Sequence, residues 1–521
     1  MRLRLLLLAP VLLLARTAPA QLPVERLYEA RSPNEPFTSF GEVLAPFADA
    51  DADGTPDFLV SASAEIVFEQ EFAGRVYLVS GATGAILRVF DGPPVERARF
   101  GWSAAATGDL NADGTPDVVV GAFLYPGPGE ENFEGRVYLL SGATGAVLHQ
   151  VAATKDEGRL GTAAVGLDAD LDGDGVPDVF ASQPRGQPAL VVASGATGAV
   201  IRDFGVVSDF TTTIGQSLVV VSDLTGDGVG EVAVGGPNSP GSKGGNRFGR
   251  VYVVDPATGD LVYAIANPAA APNQDFGGRQ RLAAVGDLDG DGITDLAVGS
   301  TAPQGNGFFG ATNLFSGATG TLVRTCLRGG RRLAPAGDLD GDGVPDVLSS
   351  GRVAERGGVI GLSGATCEVL FEIESPFVTA SGFPTAITAV REAIDGGEAL
   401  VAVGAAGSLP GETETVYRVF VYRVGGTVAQ APEPSPSALA VSVSPVPSVG
   451  AASAWVSVPS ASSVRVSVVD ALGREVSIAF EGALPAGRHR RSLPAGLAAG
   501  VYAVRVTSGA SSAAARWVVA R

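Results

Sequence analysis

Six stretches of this chain repeat one acidic phrase of nine residues. The clearest copy is Asp287-Leu-Asp289-Gly-Asp291-Gly-Ile-Thr-Asp295, with side-chain oxygens at positions 1, 3, 5 and 9 and glycine at position 6. The other copies place Asp49, Asp51, Asp53 and Asp57; Asp109, Asn111, Asp113 and Asp117; and Asp170, Asp172, Asp174 and Asp178. Two more place Asp223, Thr225, Asp227 and Glu231, and Asp338, Asp340, Asp342 and Asp346. Such spacing folds alternate carboxylates inward around one hard cation, and the glycine permits the sharp turn. Many flexible oxygens with few fixed waters suit Ca²⁺ better than Mg²⁺. The opening is like an EF-hand loop, but the closing acid falls at 9 rather than 12 and no helical pattern flanks it. The expectation is about six calcium sites, one per loop.

Nothing else in the sequence assembles a reaction centre. The two histidines, His149 and His489, lie away from the acidic loops, and there is no Gly-x-Ser-x-Gly elbow, zinc spacing or phosphate loop. The lone acids Glu65, Glu69, Glu130 and Glu131 lie in long loops and read as solvated charges, although such acids could pair as acid and base. With every loop acid committed to an ion, the metal is structural. No catalytic residue is assigned, and the sequence does not demand an enzyme.

The loops must be held by strands. Each is followed by an apolar run such as Val118-Val-Val, Val232-Ala-Val or Leu296-Ala-Val, and most are preceded by small residues such as Ser103-Ala-Ala-Ala-Thr107. An aromatic or aliphatic residue with glycine opens the unit: Phe40-Gly41, Phe100-Gly101, Leu160-Gly161, Ile214-Gly215, Phe276-Gly277. Each unit then ends in a hairpin such as Arg75–Phe90, turned by Gly-Ala-Thr-Gly, whose glycines supply positive φ. Repeats of about 51 to 64 residues, each with four short strands, predict propeller blades. A seventh unit is damaged: Asp395 and Glu398 are the carboxylates left in its loop, and Val416–Val424 gives a third strand with no fourth after it. Glu25–Pro33 resembles a fourth strand, so residues near 24–31 are expected to complete the last blade and remove an open sheet edge.

Variable loops on the face opposite the metal loops are the place for a ligand. Residues 63–74, 123–135, 236–249 and 301–311 carry Phe68, Phe72, Tyr125, Phe133, Lys243, Arg247, Phe308 and Phe309. Aromatics and Arg on loops suit sugar rings or protein hot spots. Taken singly, each aromatic is expected to fold back and pin its own loop, and it is as a group that they mark a ligand face.

Composition bounds the rest. With 71 glycines, 17% charged residues and no long amphipathic pattern, the 521-residue chain is expected to be all-β. About 22 of the 55 acids lie in the six loops, so bound metal would cancel much of the negative charge. A net charge of −19 argues against nucleic acid as a partner. Arg2 and Arg4 before the apolar run Leu5–Leu14, then Ala18-Pro-Ala20, predict a signal peptide over residues 1–20. No later stretch is long and apolar enough to span a bilayer, so the mature chain is expected to be exported and soluble. Cys326 and Cys367 could pair in an oxidising compartment or remain two partly buried thiols.

The repeats resemble the FG-GAP repeats of the integrin α-chain propeller. The Phe-Gly openings, the Asp-x-Asp-x-Asp-Gly-x-x-Asp loops and the second-strand Val120-Gly121-Ala122 carry the likeness over about residues 24–425, within an expected propeller domain of residues 21–425. It implies a seven-bladed β-propeller with calcium-binding hairpin loops. Two departures, loops in six repeats and no following membrane segment, keep partnering with an integrin β-chain from carrying over.

After Gly426 the composition shifts. Residues 426–438 form a Pro/Ser linker, and 439–521 alternate as a small β-sandwich in strands such as Val464–Val468 and Val501–Val506. Pro445-Val-Pro447, Val469–Val476, Leu484–His489 and Leu497–Tyr502 resemble the C-terminal type A sorting domain of the type IX secretion system. The resemblance implies that the secretion machinery is a partner and the cell surface or medium a destination. An ordinary carbohydrate-binding or spacer sandwich is the alternative. The leading expectation is an exported, calcium-stabilised propeller that binds an extracellular glycan or protein in adhesion or capture. A calcium-dependent polysaccharide lyase or hydrolase, marked by an Arg/Lys/Tyr/Glu cluster at the channel mouth, is the second. A structural surface or matrix protein is the third.

Overall fold

A computed structural model describes residues 21–34, 38–127, 133–185, 189–205, 214–237, 249–268, 276–301, 310–354, 356–377, 383–408 and 415–425 of the first part of the chain. In the last part it describes 439–444, 453–460, 462–470, 474–484, 487–494, 497, 500–509 and 511–519. The expected signal peptide and linker fall outside these residues. The chain divides into two compact units, Met1–Thr427 and Val428–Arg521.

In the first unit the described strands form seven antiparallel sheets of four strands each. Sheet one runs Phe40–Phe47, Asp57–Ala62, Arg75–Val79 and Ile86–Asp91, in that spatial order. Sheets two to six repeat the plan, opening with Phe100–Thr107, Ala164–Gly166, Leu218–Val220, Leu282–Ala284 and Leu333–Gly337. Sheet seven opens with Ile387–Arg391 and Glu398–Gly407, then Val416–Gly425, and takes its fourth strand from Val24–Arg31. That strand pairs antiparallel, with Val24 opposite Val424 and Arg31 opposite Arg418. Ion pairs fasten it, Glu29 to Arg418 at 2.8 Å and Glu25 to Arg423 at 2.7 Å.

Burial explains the residue pattern of each strand. The second strands Asp57–Ala62 and Asp117–Ala122 are buried at every position, because each sheet is covered on both faces by its neighbours. The outer strand Ile86–Asp91 is mostly exposed or half-buried. One apolar cluster separates each sheet from the next: Leu59, Val76 and Phe90 meet Val118 and Val120 between sheets one and two. Val60 and Tyr77 meet Ala402 and Val419 between sheets one and seven. A fully buried Val, Leu or Phe contributes about 1.5–3 kcal/mol, so every interface supplies cohesion of its own. The first strand of each sheet touches the first strands of both neighbours, all the way round, and together they surround the axis.

The Phe-Gly openings and the second-strand glycines meet at these interfaces. A Cβ on Gly121 would sit 2.0 Å from the carbonyl oxygen of Gly161 in the next sheet, and one on Gly404 would sit 2.0 Å from that of Gly41. Only glycine allows such an approach. The hairpin corner is equally regular. Gly84, at φ +75°, donates its N–H to the Ser80 carbonyl at 2.9 Å. In sheet six Cys367 stands at that place, at φ +62°, and bonds Ser363 the same way. Its sulfur is joined to Cys326, on the outer strand of sheet five, so the pairing that the sequence left open is a disulfide.

The second unit holds two sheets. Ala440–Ser444, Ser453–Val458 and Gly487–Ser492 form the first. Glu475–Leu484, Ser462–Val469, Gly500–Ser508 and Ser511–Val519 form the second, in that order. Val456 and Val458 of one sheet share a core with Val466, Val504, Val506 and Trp517 of the other.

Candidate functional sites at the two ends of the ring

Each acidic phrase joins the first strand of its sheet to the second. Glycines at positive φ let it curl, as at Gly290 (+82°) and Gly292 (+85°). The first acid is the hub. Asp287 Oδ1 accepts the N–H groups of Gly290 (2.7 Å) and Asp291 (3.1 Å), and Oδ2 that of Gly292 (2.8 Å). Asp49, Asp109, Asp170, Asp223 and Asp338 each accept the N–H of the sixth-position glycine in the same way. These donations hold the carboxyls of Asp170, Asp223 and Asp287 below the usual range.

The ninth position behaves differently. Asp57, Asp117, Asp178, Glu231, Asp295 and Asp346 are fully buried. Asp295 Oδ2 accepts the Leu288 N–H at 2.6 Å, and Oδ1 accepts the Gly317 N–H at 2.7 Å, which belongs to the corner between the third and fourth strands. Asp57, Asp117, Asp178 and Asp346 make the equivalent pair of bonds. The ninth acid therefore clamps two hairpins of one sheet together. Burial pushes the carboxyls of Asp57, Asp117, Asp178 and Asp295 up, and that of Asp346 up to about 7.

The donor sets fit a hard cation. The carboxylate oxygens of Asp49, Asp51 and Asp53 lie within 4.8 Å of one another. So do those of Asp170, Asp172 and Asp178, of Asp287, Asp289 and Asp291, and of Asp338, Asp340 and Asp346. The loops of Asp109, Asn111, Asp113 and Asp117 and of Asp223, Thr225, Asp227 and Glu231 each replace one carboxylate by a neutral oxygen, and among the described residues they form no three-acid group. The damaged seventh loop is docked on the sixth by its backbone, with Asp338 N–H on Ala393 O at 3.1 Å and Gly396 N–H on Asp338 O at 3.0 Å. Its Glu398 is paired to Arg423 at 3.0 Å.

The opposite end holds the residues expected to face a ligand. Phe68 is 63% exposed. Phe72 lies under the Arg99 guanidinium at 4.6 Å and Tyr125 under that of Arg136 at 4.3 Å, so both pin their own surroundings instead of standing free. Phe133 is half-buried and bridges Pro126. Lys243, Arg247, Phe308 and Phe309, with Glu130 and Glu131, lie outside the described residues. Glu69 is exposed, but Glu65 is not the solvated charge its loop position suggests: it is 1% exposed. It accepts from the Tyr77 hydroxyl at 2.7 Å and pairs with Arg75 at 2.7 Å, while Asn34 donates to it as well. Burial without these partners would be prohibitive.

Sequence reasoning missed the constellation at the axis. Arg279, just before the first strand of sheet five, reaches across to Glu42 of sheet one at 3.1 Å and to the Trp102 carbonyl of sheet two at 2.8 Å. Its guanidinium lies 3.9 Å from the centre of the Trp102 ring, whose other neighbour is Phe123 at 4.3 Å. Gln280 donates to the Glu42 carbonyl at 2.7 Å, and Arg332 of sheet six donates to the Thr385 carbonyl of sheet seven at 2.6 Å. Burial, then the charges of Arg279, Arg281 and Arg331, bring Arg332 down to about 10. The available signal was position: each residue stands beside the start of a first strand.

Comparison with known proteins agrees with this architecture. Residues 100–140, 214–254 and 281–311 match the FG-GAP repeat family. The chain is 34% identical to mouse integrin alpha-E over 152 residues, which are 27% of this chain and 13% of that protein. It is 34% identical to human integrin alpha-10 over 186 residues, 32% of this chain and 15% of the relative. It is 30% identical to bovine phosphatidylinositol-glycan-specific phospholipase D over 209 residues, 40% of this chain and 19% of that one. The chain thus spans between about an eighth and a fifth of these relatives' lengths. These matches, together with the four-stranded sheets, support an FG-GAP-type β-propeller, similar in part to integrin α-chains. Among the described residues no helix is long and apolar enough to cross a membrane.

Proposed function

We propose that the first unit is a seven-bladed propeller, stabilised by Ca²⁺ in six loops, that binds an extracellular protein or glycan in adhesion or capture. The observation that carries this reading is the repeated clamp. In five of the loops the ninth acid bonds the third-to-fourth-strand corner, as Asp295 bonds Gly317, and in four of those five three acids converge within reach of one ion. A cation drawn in by positions 1, 3, 5 and 9 would neutralise those acids and fix the hairpin. The blades would then present the opposite face as a preorganised surface. Likeness to integrin α-chains supports ligand binding, and the Cys326–Cys367 bond suits an oxidising compartment. In this reading residues 1–20 direct export, and the second unit is the address read by the type IX secretion machinery. Retention of the protein on a panel of matrix proteins and polysaccharides, with Ca²⁺ and with chelator, tests it. Binding lost on chelation supports the reading, and an unchanged melting temperature in chelator sinks its metal part.

A polysaccharide lyase or hydrolase is the second reading, favoured by the Arg279–Glu42–Arg332 convergence at the axis. Glu42, its carboxylate, is already held by Arg279 and by the Ser63 hydroxyl at 2.7 Å, which leaves it poorly placed as a base. Shortening of any polymer in the same incubation would promote this reading.

A further inference from the structure

The axis mouth at the end opposite the acidic loops gathers positive charge on a strongly acidic protein. Arg279, Arg281, Arg331 and Arg332 precede the first strands of sheets five and six. Glu42 is the carboxylate that faces them, and it is engaged by Arg279 and Ser63. Arg332 uses Nε on Thr385 and Nη1 on the Arg331 carbonyl, so Nη2 remains for another acceptor. Arg331 is exposed. Beside them two buried polar atoms, Trp102 Nε1 and Gln280 Oε1, have no partner among the described residues. A buried donor without a partner costs free energy that a ligand acceptor would recover. The convergence of like charges on Arg332 has the same remedy, since an anion bound there relieves it.

We propose that this mouth is a binding site for the carboxylate of an acidic side chain presented by a protein ligand. The proposal rests on the reading that this face binds a ligand, and it names the chemistry. Planar guanidinium groups take carboxylates through paired charge-assisted bonds, and the indole N–H adds a third donor. Gln280 Oε1 needs a donor, which the backbone N–H of a bound peptide supplies. A sugar is the poorer fit. Both faces of Trp102 are covered, by Arg279 and Phe123, so the indole offers its edge and no stacking platform.

The test uses the full chain in saturating Ca²⁺ and a fluorescein-labelled Gly-Gly-Asp-Gly-Gly peptide, its Asn counterpart and a labelled oligogalacturonate, titrated to about 10 mM. The aspartyl peptide is expected to bind at least about tenfold more tightly than the asparaginyl one, and Arg331→Gln and Arg332→Gln each to weaken it about tenfold. Equal binding of the two peptides, or no binding of either, overturns the proposal. Preference for the oligogalacturonate assigns the mouth to an acidic glycan and overturns the protein source. If Arg332→Gln lowers the melting temperature, Arg331→Gln, which carries an exposed side chain, decides alone. Melting the same samples with and without chelator separates the outcomes. A chelator-insensitive protein that discriminates the peptides loses the metal reading and keeps this one.

Discussion

The two ends of the ring are built on different principles. At one end the same acidic hairpin recurs, and most bonds that shape each loop link residues close in sequence, Asp287 to Gly292 and Asp295 to Leu288. The ninth acid's clamp reaches the next hairpin of the same sheet, at Gly317. At the other end the contacts are long-range and made once. Arg279 meets Trp102 from the far side of the axis, 177 residues away in the chain. One end is a repeated local device that stiffens the scaffold, and the other is a single non-local assembly with unsatisfied groups. Stability is expected to reside at the first and recognition at the second.

The largest effect should come from calcium removal. An ion held only by the folded state at 100 times its dissociation constant adds about 2.7 kcal/mol per site, so chelation should lower the melting temperature by many degrees. The comparison fails if calorimetry finds no change. Next in size is Asp295→Ala, which leaves the buried Leu288 and Gly317 N–H groups without acceptors. It should cost about 3 kcal/mol even in chelator. Asp289→Asn, at an exposed third position, should cost nothing in chelator and only blunt the calcium response. Equal losses for the two in urea melts would erase the division between clamp and ligand.

The disulfide adds a third test. Replacing both cysteines by serine should cost about 2–4 kcal/mol. Cys326→Ser combined with Cys367→Gly should recover about 1 kcal/mol of that, because glycine accepts φ +62° without penalty. A denaturation series comparing the two double variants decides it.

The smallest effect is in pH. Asp346 titrates near 7 in the folded, metal-free chain because of burial, against a model-peptide value of about 3.9. Between those values the folded state holds the extra proton, so its stability contribution falls as pH rises toward 7. The lowered first-position acids act only below about 4, where their stabilisation is lost. Metal-free protein should therefore be more stable at pH 5 than at pH 8, and calcium should reverse the order. Parallel pH profiles with and without calcium would contradict the burial of Asp346.

What could be seen in the sequence follows the same division. The loops, the Gly-Ala-Thr-Gly corners and the strand from residue 24 were visible because each is a short phrase repeated at one period. The third- and fourth-strand signals even placed Val24–Arg31 beside Val416–Gly425. The clamping role of Asp295 was hidden, since ligation and hydrogen bonding ask for the same residue at position 9. Glu65 looked solvated because its partners, Tyr77 and Asn34, lie 12 and 31 positions away. Trp102, Arg279 and Arg332 carry no motif at all. Only closure of the ring brings them to one place.

That closure also sets an order of events. The strand at residues 24–31 is made first, and its partner, Val416–Gly425, emerges almost 400 residues later. Long-range pairing of this kind is slow to form. Until it forms, sheet seven keeps a raw edge able to recruit another chain. A nascent molecule therefore carries its first strand as a loose end, and the ring seals only when the last repeat has arrived. A chain cut short before Val416 would hold most of the sheets and no means of shutting them, which makes premature termination a route to cross-linked aggregates and not to a smaller working propeller.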